Sequence, residues 1–186
     1  MTHRSPRLRA RARRWLGLGL LAALAACAAQ APPLEVAGAV DLERYLGRWY
    51  EIASLPQFFQ RGCVATTAEY TRRPDGRIRV VNECRDGSLD GELRRAEGVA
   101  WVADPGRSDA RLVVQFFWPF RGDYWILELD PDYRYAVVGN PSREYLWILS
   151  RTPTLDPALY EALLTRIVAR GYALARLTRT PQPPAP

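Results

Sequence analysis

The chain has 186 residues, 48% of them hydrophobic and 25% charged, and 26 Lys+Arg against 20 Asp+Glu give a formal net charge of +6. Six of the basic residues, Arg4, Arg7, Arg9, Arg11, Arg13 and Arg14, sit near the N-terminus, so the remainder carries 20 charges of each sign and no cationic surplus to displace counterions from nucleic-acid phosphates. The only histidine is His3 and lysine does not occur, which removes from the body of the chain a Ser-His-Asp triad, a His-ligated zinc, a Cys-His pair and a Schiff base. Carboxylate chemistry is the main catalytic route left.

The arginine-rich head runs into an apolar stretch from Trp15 to Ala26, shorter than the roughly 20 residues a membrane-spanning helix needs. Leu24-Ala25-Ala26-Cys27 closes it: small residues let a peptidase approach the backbone, and the Cys27 thiol can carry a diacylglycerol. This segment resembles the lipobox of bacterial lipoproteins. The resemblance implies a cleaved signal peptide over 1–26, a lipid anchor on Cys27 and attachment to a membrane. Ala28, where an inner-membrane retention signal would have Asp, points to the periplasmic face of the outer membrane. Residues 27–40, rich in Ala and Pro, read as an extended lipidated tether. The roughly 160 residues left after cleavage suit one domain, placed over 41–178, with 179–186 as a disordered tail.

Runs of β-branched and aromatic residues predict strands over 47–54, 63–72, 77–84, 92–102, 110–118, 123–130, 134–139 and 144–150. Pro74-Asp75-Gly76, Asp86-Gly87, Asp104-Pro105-Gly106, Arg121-Gly122-Asp123 and Asn140-Pro141-Ser142 supply the reversals. These connections are too short for parallel crossovers, so an antiparallel up-and-down meander follows. Leu112 to Trp118 and Trp125 to Leu127 are apolar on both faces, which fits a barrel with an apolar lumen and a helix outside. That helix starts at Asp156-Pro157, repeats Leu159, Leu163 and Ile167, and stops at Gly171; residues 172–178 then return as a ninth, edge-pairing strand. Cys63 and Cys84 read as a disulfide in an oxidising compartment, two buried free thiols being the alternative.

Gly47-Arg48-Trp49-Tyr50-Glu51-Ile52-Ala53 resembles the Gly-x-Trp motif of the lipocalins. Leu129-Asp130-Pro131-Asp132-Tyr133-Arg134-Tyr135-Ala136-Val137-Val138 is similar to that family's second motif, and Tyr145-Leu146-Trp147-Ile148-Leu149-Ser150-Arg151-Thr152-Pro153 to its third. Order, spacing and the following helix agree over 41–178, and the likeness extends to the bacterial members that are outer-membrane lipoproteins. It implies an all-β fold: an eight-stranded antiparallel up-and-down barrel with one C-terminal helix packed outside and a short ninth strand. It also implies that Gly47, Trp49 and Arg151 are structural, with Trp49 inside the closed end and Arg151 packed across its indole.

In such a barrel alternate connections share one end, so 55–62, 85–91, 119–122 and 140–143 form the mouth. They bring Leu55, Phe58, Phe59 and Phe120, with Trp118 adjacent, among Arg61, Arg121 and Arg143, offering apolar walls for a chain and guanidinium forks for a carboxylate or phosphate. The Cys63–Cys84 bond would brace this rim. If Trp49 points inward, Glu51 and Ala53 do too, and Tyr145 and Trp147 share the face of Arg151. The expected ligand-binding set is therefore Glu51, Phe58, Phe59, Arg61, Trp118, Phe120, Arg121, Arg143, Tyr145 and Trp147. The function expected is holding or transporting fatty acids or lysophospholipids at the bacterial envelope, with no cofactor and no metal. The alternatives are a module whose apolar strand face docks an envelope protein or a second copy of itself, and a lipid-modifying enzyme using the Glu51 carboxylate.

Overall fold

Strands form where β-branched and aromatic residues alternate, and the computed structural model, which describes residues 33–184, contains nine of them. They are β1 Gly47–Ser54, β2 Cys63–Arg72, β3 Ile78–Asp86, β4 Leu93–Val102, β5 Arg111–Gln115, β6 Gly122–Leu129, β7 Tyr135–Gly139, β8 Leu146–Ser150 and β9 Thr178–Arg179. A short helix α1, Leu42–Tyr45, precedes them, and α2, Pro157–Ala169, lies between β8 and β9. Neighbours pair antiparallel from β2 round to β8, and β1 closes the cylinder. Its first half pairs with β2, Gly47 opposite Tyr70, and its second half with β8, Ser54 opposite Trp147. Eight strands thus form the expected closed barrel, and β9 adds outside it on Ala53 and Ser54.

Two apolar clusters hold the barrel. The inner one contains Trp49, Tyr70, Ile78, Val80, Leu112 and Leu149. The outer one joins Ile52, Leu127, Val137 and Ile148 to Tyr160, Leu163 and Ile167 of α2. Asp156 caps this helix by accepting from the Leu159 N–H at 2.8 Å, and Pro157 occupies its first turn. Burying each such Leu or Ile contributes about 1.5–3 kcal/mol, which is why the helix stays on the wall.

Several expectations are corrected. The ladder of β5 ends at Gln115, not 118, because Val114 pairs with Gly122 and residues 115–121 are needed to turn. The ninth strand is two residues long, not seven; Tyr172 is buried in the outer cluster and cannot pair as an edge. Of the segment read as a disordered tail, 179–186, the described residues 179–184 are held to the barrel. Thr180 N–H donates to Ile52 O at 3.0 Å, Ala65 N–H donates to Pro181 O at 2.7 Å, and Gln182 Nε2 donates to Glu51 O and Thr66 O at 2.8 and 2.9 Å. Proline lacks an N–H but keeps its carbonyl, so a Pro-rich composition did not preclude ordering. Within 33–40, Leu34 and Val40 are buried and Ala37 N–H donates to Ile126 O at 2.8 Å, so the packed domain begins before residue 41. The expected signal peptide, Cys27, the rest of the expected tether and residues 185–186 lie outside the described residues.

Candidate functional site

One end of the barrel is plugged. Trp49 is fully buried, donates from Nε1 to Tyr45 O at 2.9 Å, and has the Arg151 guanidinium 3.8 Å from its ring centroid. Arg151 spends its donors on carbonyls: Arg48 O at 2.9 Å, Arg44 O at 2.8 Å, Tyr45 O at 3.2 Å and Tyr133 O at 3.3 Å. A planar five-donor cation is the side chain that can stack on an indole and satisfy several carbonyls at once. Gly47 is required beside it because its φ is +90°, a conformation that strains any residue with a Cβ. The second motif resolves into a turn centred on Asp130, whose carboxylate accepts from the backbone N–H groups of Asp132 and Arg134 and from the Arg134 guanidinium. Tyr133 OH in turn accepts from Asp41 N–H at 2.8 Å and ties this turn to the start of α1.

Above the plug a tyrosine trio crosses the lumen. Tyr124 OH lies 2.8 Å from both Tyr45 OH and Tyr70 OH. Burial pushes all three phenols up, Tyr70 to about 12, so each is neutral at any physiological pH.

From this floor to the opposite end runs a cavity of about 880 Å³. Its walls include Ile78, Val80, Ala100, Leu112, Val114 and Leu149. The Cys63–Cys84 disulfide, with Cα atoms 5.4 Å apart, joins the start of β2 to the end of β3 at the upper wall, settling the pair as bonded. Of the expected ligand-binding residues, Glu51, Phe58, Phe59, Phe120, Arg121, Tyr145 and Trp147 line the cavity. Aromatic rings descend into it from the rim: Phe58 meets Phe59 edge-on at 5.3 Å, Phe59 stacks on Tyr145 at 6.3 Å, and Tyr145 stacks on Trp147 at 6.1 Å.

The structure does not bring Arg61, Trp118 and Arg143 into the lining. Trp118 is 85% exposed on the outside of the β5–β6 loop, and Arg143 turns away to donate from Nε to Arg170 O at 2.7 Å beyond the end of α2. Arg94 and Arg95 supply guanidinium groups at the rim instead. Arg94 is held by Asp86 at 3.2 Å and by Arg61 O at 2.9 Å, and Arg95 by Glu83 at 3.4 Å. Leu55 and Ala53, expected at the mouth and in the lumen, pack instead in the outer cluster. A register shift between Glu51 and Ala53 sends the chain outward at that point.

Glu51 is 5% exposed, and its carboxylate accepts from Ser54 Oγ at 2.8 Å, Gln60 Nε2 at 2.9 Å and Thr180 Oγ1 at 2.6 Å. Gln60 then accepts from Trp147 Nε1 at 3.2 Å, which fixes the indole against the wall. Among the described residues no ion pair reaches Glu51. Sequence reasoning missed Thr66, Asn82 and the tyrosine trio, all lining residues. The period-two rule from Cys63 points to the wrong face after the irregularity between Val64 and Thr67, but alternation counted back from Cys84 does reach Asn82.

A closed eight-stranded barrel with a Trp–Arg plug at one end, an open apolar cavity at the other and a helix on its flank defines a lipocalin. The chain belongs to that family: the lipocalin-like domain matches residues 40–182. It is 45% identical to temperature-induced lipocalin-1 of Arabidopsis thaliana over 82% of this chain and 85% of that one. It is 42% identical to the outer membrane lipoprotein Blc of Citrobacter freundii, covering 86% and 90% of the two chains. It is also 33% identical to apolipoprotein D of Mus musculus, over 78% and 79%. Among solved structures, insecticyanin from Manduca sexta superposes with a TM-score of 0.63 over 81% of this chain and 85% of that one, at 21% identity, a likeness of fold.

Proposed function

We propose that the protein carries a single-chain amphiphile, a fatty acid or a lysophospholipid, with the hydrocarbon in the barrel and the head group at the rim. The observation that supports this is the cavity of about 880 Å³, apolar along Val80, Ala100, Leu112, Val114 and Leu149, blocked below by Trp49 and Arg151 and open above between Phe58, Phe59 and Phe120. Burial of each methylene contributes about 0.8 kcal/mol, so a long chain gains on the order of 10 kcal/mol before the cost of immobilising it. Arg94, Arg95 and Arg121 are the rim cations available to a carboxylate or phosphate. Glu51, with three neutral donors already on its carboxylate, fixes Gln60 and Trp147 and is not poised as a base.

The place of action proposed is the bacterial envelope. Its support is the lipobox-like Leu24-Ala25-Ala26-Cys27 and the relatives named outer membrane lipoprotein. A second reading, docking to another copy of the chain, is favoured by one observation: Phe117, Trp118 and Phe120 are 73%, 85% and 76% exposed on one loop. Native mass spectrometry of the protein purified with its lipids, followed by displacement of a fluorescent acyl probe, tests the carrier reading. Co-purified amphiphile and stoichiometric displacement support it. An empty monomer that binds no probe overturns it, and an empty dimer favours the second reading.

A further inference from the structure

The lumen is not uniformly greasy. Three adjacent strands place polar side chains on one wall just inside the mouth: Glu51 of β1, Thr66 of β2 and Asn82 of β3 all line the cavity. They are neighbours by register, since Tyr50 pairs with Thr67 and Ala68 with Asn82, and Gln182 Nε2 bridges the carbonyls of Glu51 and Thr66 from behind. Across the barrel from β1, the wall formed by Leu112 and Val114 of β5 is apolar.

Hydrogen-bond accounting separates Thr66 and Asn82 from the other polar residues that line this cavity. The tyrosine hydroxyls satisfy one another, and the Glu51 carboxylate has three donors. By contrast Thr66 Oγ1, Asn82 Oδ1 and Gln182 Oε1 are buried with no hydrogen-bond partner. Buried polar atoms are almost always paired, and leaving one unpaired carries its full desolvation cost. Of the two atoms that belong to lining residues, Asn82 Oδ1 only accepts, whereas Thr66 Oγ1, a hydroxyl oxygen, can accept or give a proton. The group that fills such a set is one that donates and accepts from a single atom, namely a hydroxyl.

Resting on the carrier reading above, we propose that Thr66 and Asn82 form a subsite for a hydroxyl group borne on the ligand's acyl chain, so that the protein prefers hydroxylated fatty acids to plain ones. Cys84 pairs with Arg94, and Asn82 lies two residues further in, about 7 Å deeper along the strand. A head group at the level of the rim arginines therefore puts the recognised hydroxyl in the half of the chain nearer the head. The apolar wall opposite receives the methylenes, and the remaining tail runs down to the tyrosine floor.

The test is displacement of a fluorescent acyl probe by octadecanoic acid and by a series of octadecanoic acids carrying one hydroxyl at successive carbons. The expected result is a preference on the order of tenfold for an acid hydroxylated in the head-proximal half, the value of one net hydrogen bond. Thr66→Val and Asn82→Leu should each reduce that preference several-fold, read in each variant as the ratio of its affinities for the hydroxylated and plain acids. Because the replaced oxygens are buried without a partner in the ligand-free protein, neither variant should melt below the wild type. Equal affinity for hydroxylated and plain acids in the wild type, or a preference that survives both substitutions, overturns the subsite; water alone then fills it. Failure of every acid to displace the probe, with no probe bound, is a failure of the carrier reading itself and is distinguishable from either result.

Discussion

Removing the Arg151 guanidinium should unfasten the closed end of the barrel. The cation sits 3.8 Å from the Trp49 ring centroid and donates to the carbonyls of Arg44, Tyr45, Arg48 and Tyr133, which lie on three separate segments. A partly desolvated cation–π contact contributes about 1–2 kcal/mol and hydrogen bonds from a charged donor about 1.5–3 kcal/mol, so Arg151→Ala should cost roughly 3–4 kcal/mol. For a domain of this size that lowers the melting temperature by about 6–16 °C. Arg151→Met keeps the aliphatic stem against the indole but removes charge and donors, and should lose nearly as much. Trp49→Ala, emptying a site with no solvent exposure, should cost about 3–5 kcal/mol. The Trp49→Ala/Arg151→Ala double variant should fall short of the sum of the two, since each single change already breaks their contact. Thermal unfolding followed by circular dichroism reads all four. A drop of less than 2 °C in Arg151→Ala, or strict additivity in the double variant, would refute the coupling argued here.

Replacing Cys63 and Cys84 by Ser opens a cross-link between residues 21 apart and should cost on the order of 3 kcal/mol, measured by denaturant unfolding with and without reductant. Arg134 and two backbone N–H groups hold the Asp130 carboxyl below the usual carboxylate range. Its stabilisation is therefore fully present above the ordinary Asp pKa and is lost as pH falls through the lowered folded value, so the stability difference between wild type and Asp130→Asn should be largest at neutral pH and shrink in acid. The correct outcome is a variant less stable at neutral pH whose remaining stability depends less on pH below about 4. Gly139→Ala would drive a methyl into the Tyr172 hydroxyl, which bonds Asn140, and should loosen the seat of α2 with a measurable fall in melting temperature. Asp156→Ala, which removes the N-cap of α2, should cost about 1 kcal/mol in the same assay.

What the sequence disclosed and what it withheld divide along a physical line. Runs of β-branched and aromatic residues between turn signals located all eight barrel strands, β1 and β2 to the residue, because such side chains favour a pleated, packed surface. The three motif segments marked the plug, since Gly47, Trp49 and Arg151 are bound to one another by geometry that tolerates few substitutes. The lumen was less legible. Register shifts between Glu51 and Ala53 and between Val64 and Thr67 exchange inside for outside, and no composition rule announces where they fall. Rim arginines were interchangeable to the eye: Arg143 lies in a mouth loop yet answers to the end of α2, whereas Arg94 lies on a strand yet reaches the cavity. The C-terminal residues misled for a different reason, because Thr180 and Gln182 are ordered by a partner, Glu51, that is distant in sequence.

The central claim is that the cavity admits a hydrocarbon chain, and filling it in place tests this most directly. Val114 lines the cavity, and Val114→Trp would occupy the space a ligand chain needs. Titration of a fluorescent acyl probe into the wild type should saturate at one per chain, and the folded Val114→Trp variant should bind it at least tenfold more weakly. Undiminished binding by a variant that melts cooperatively would show that the probe sits elsewhere, and would contradict the account.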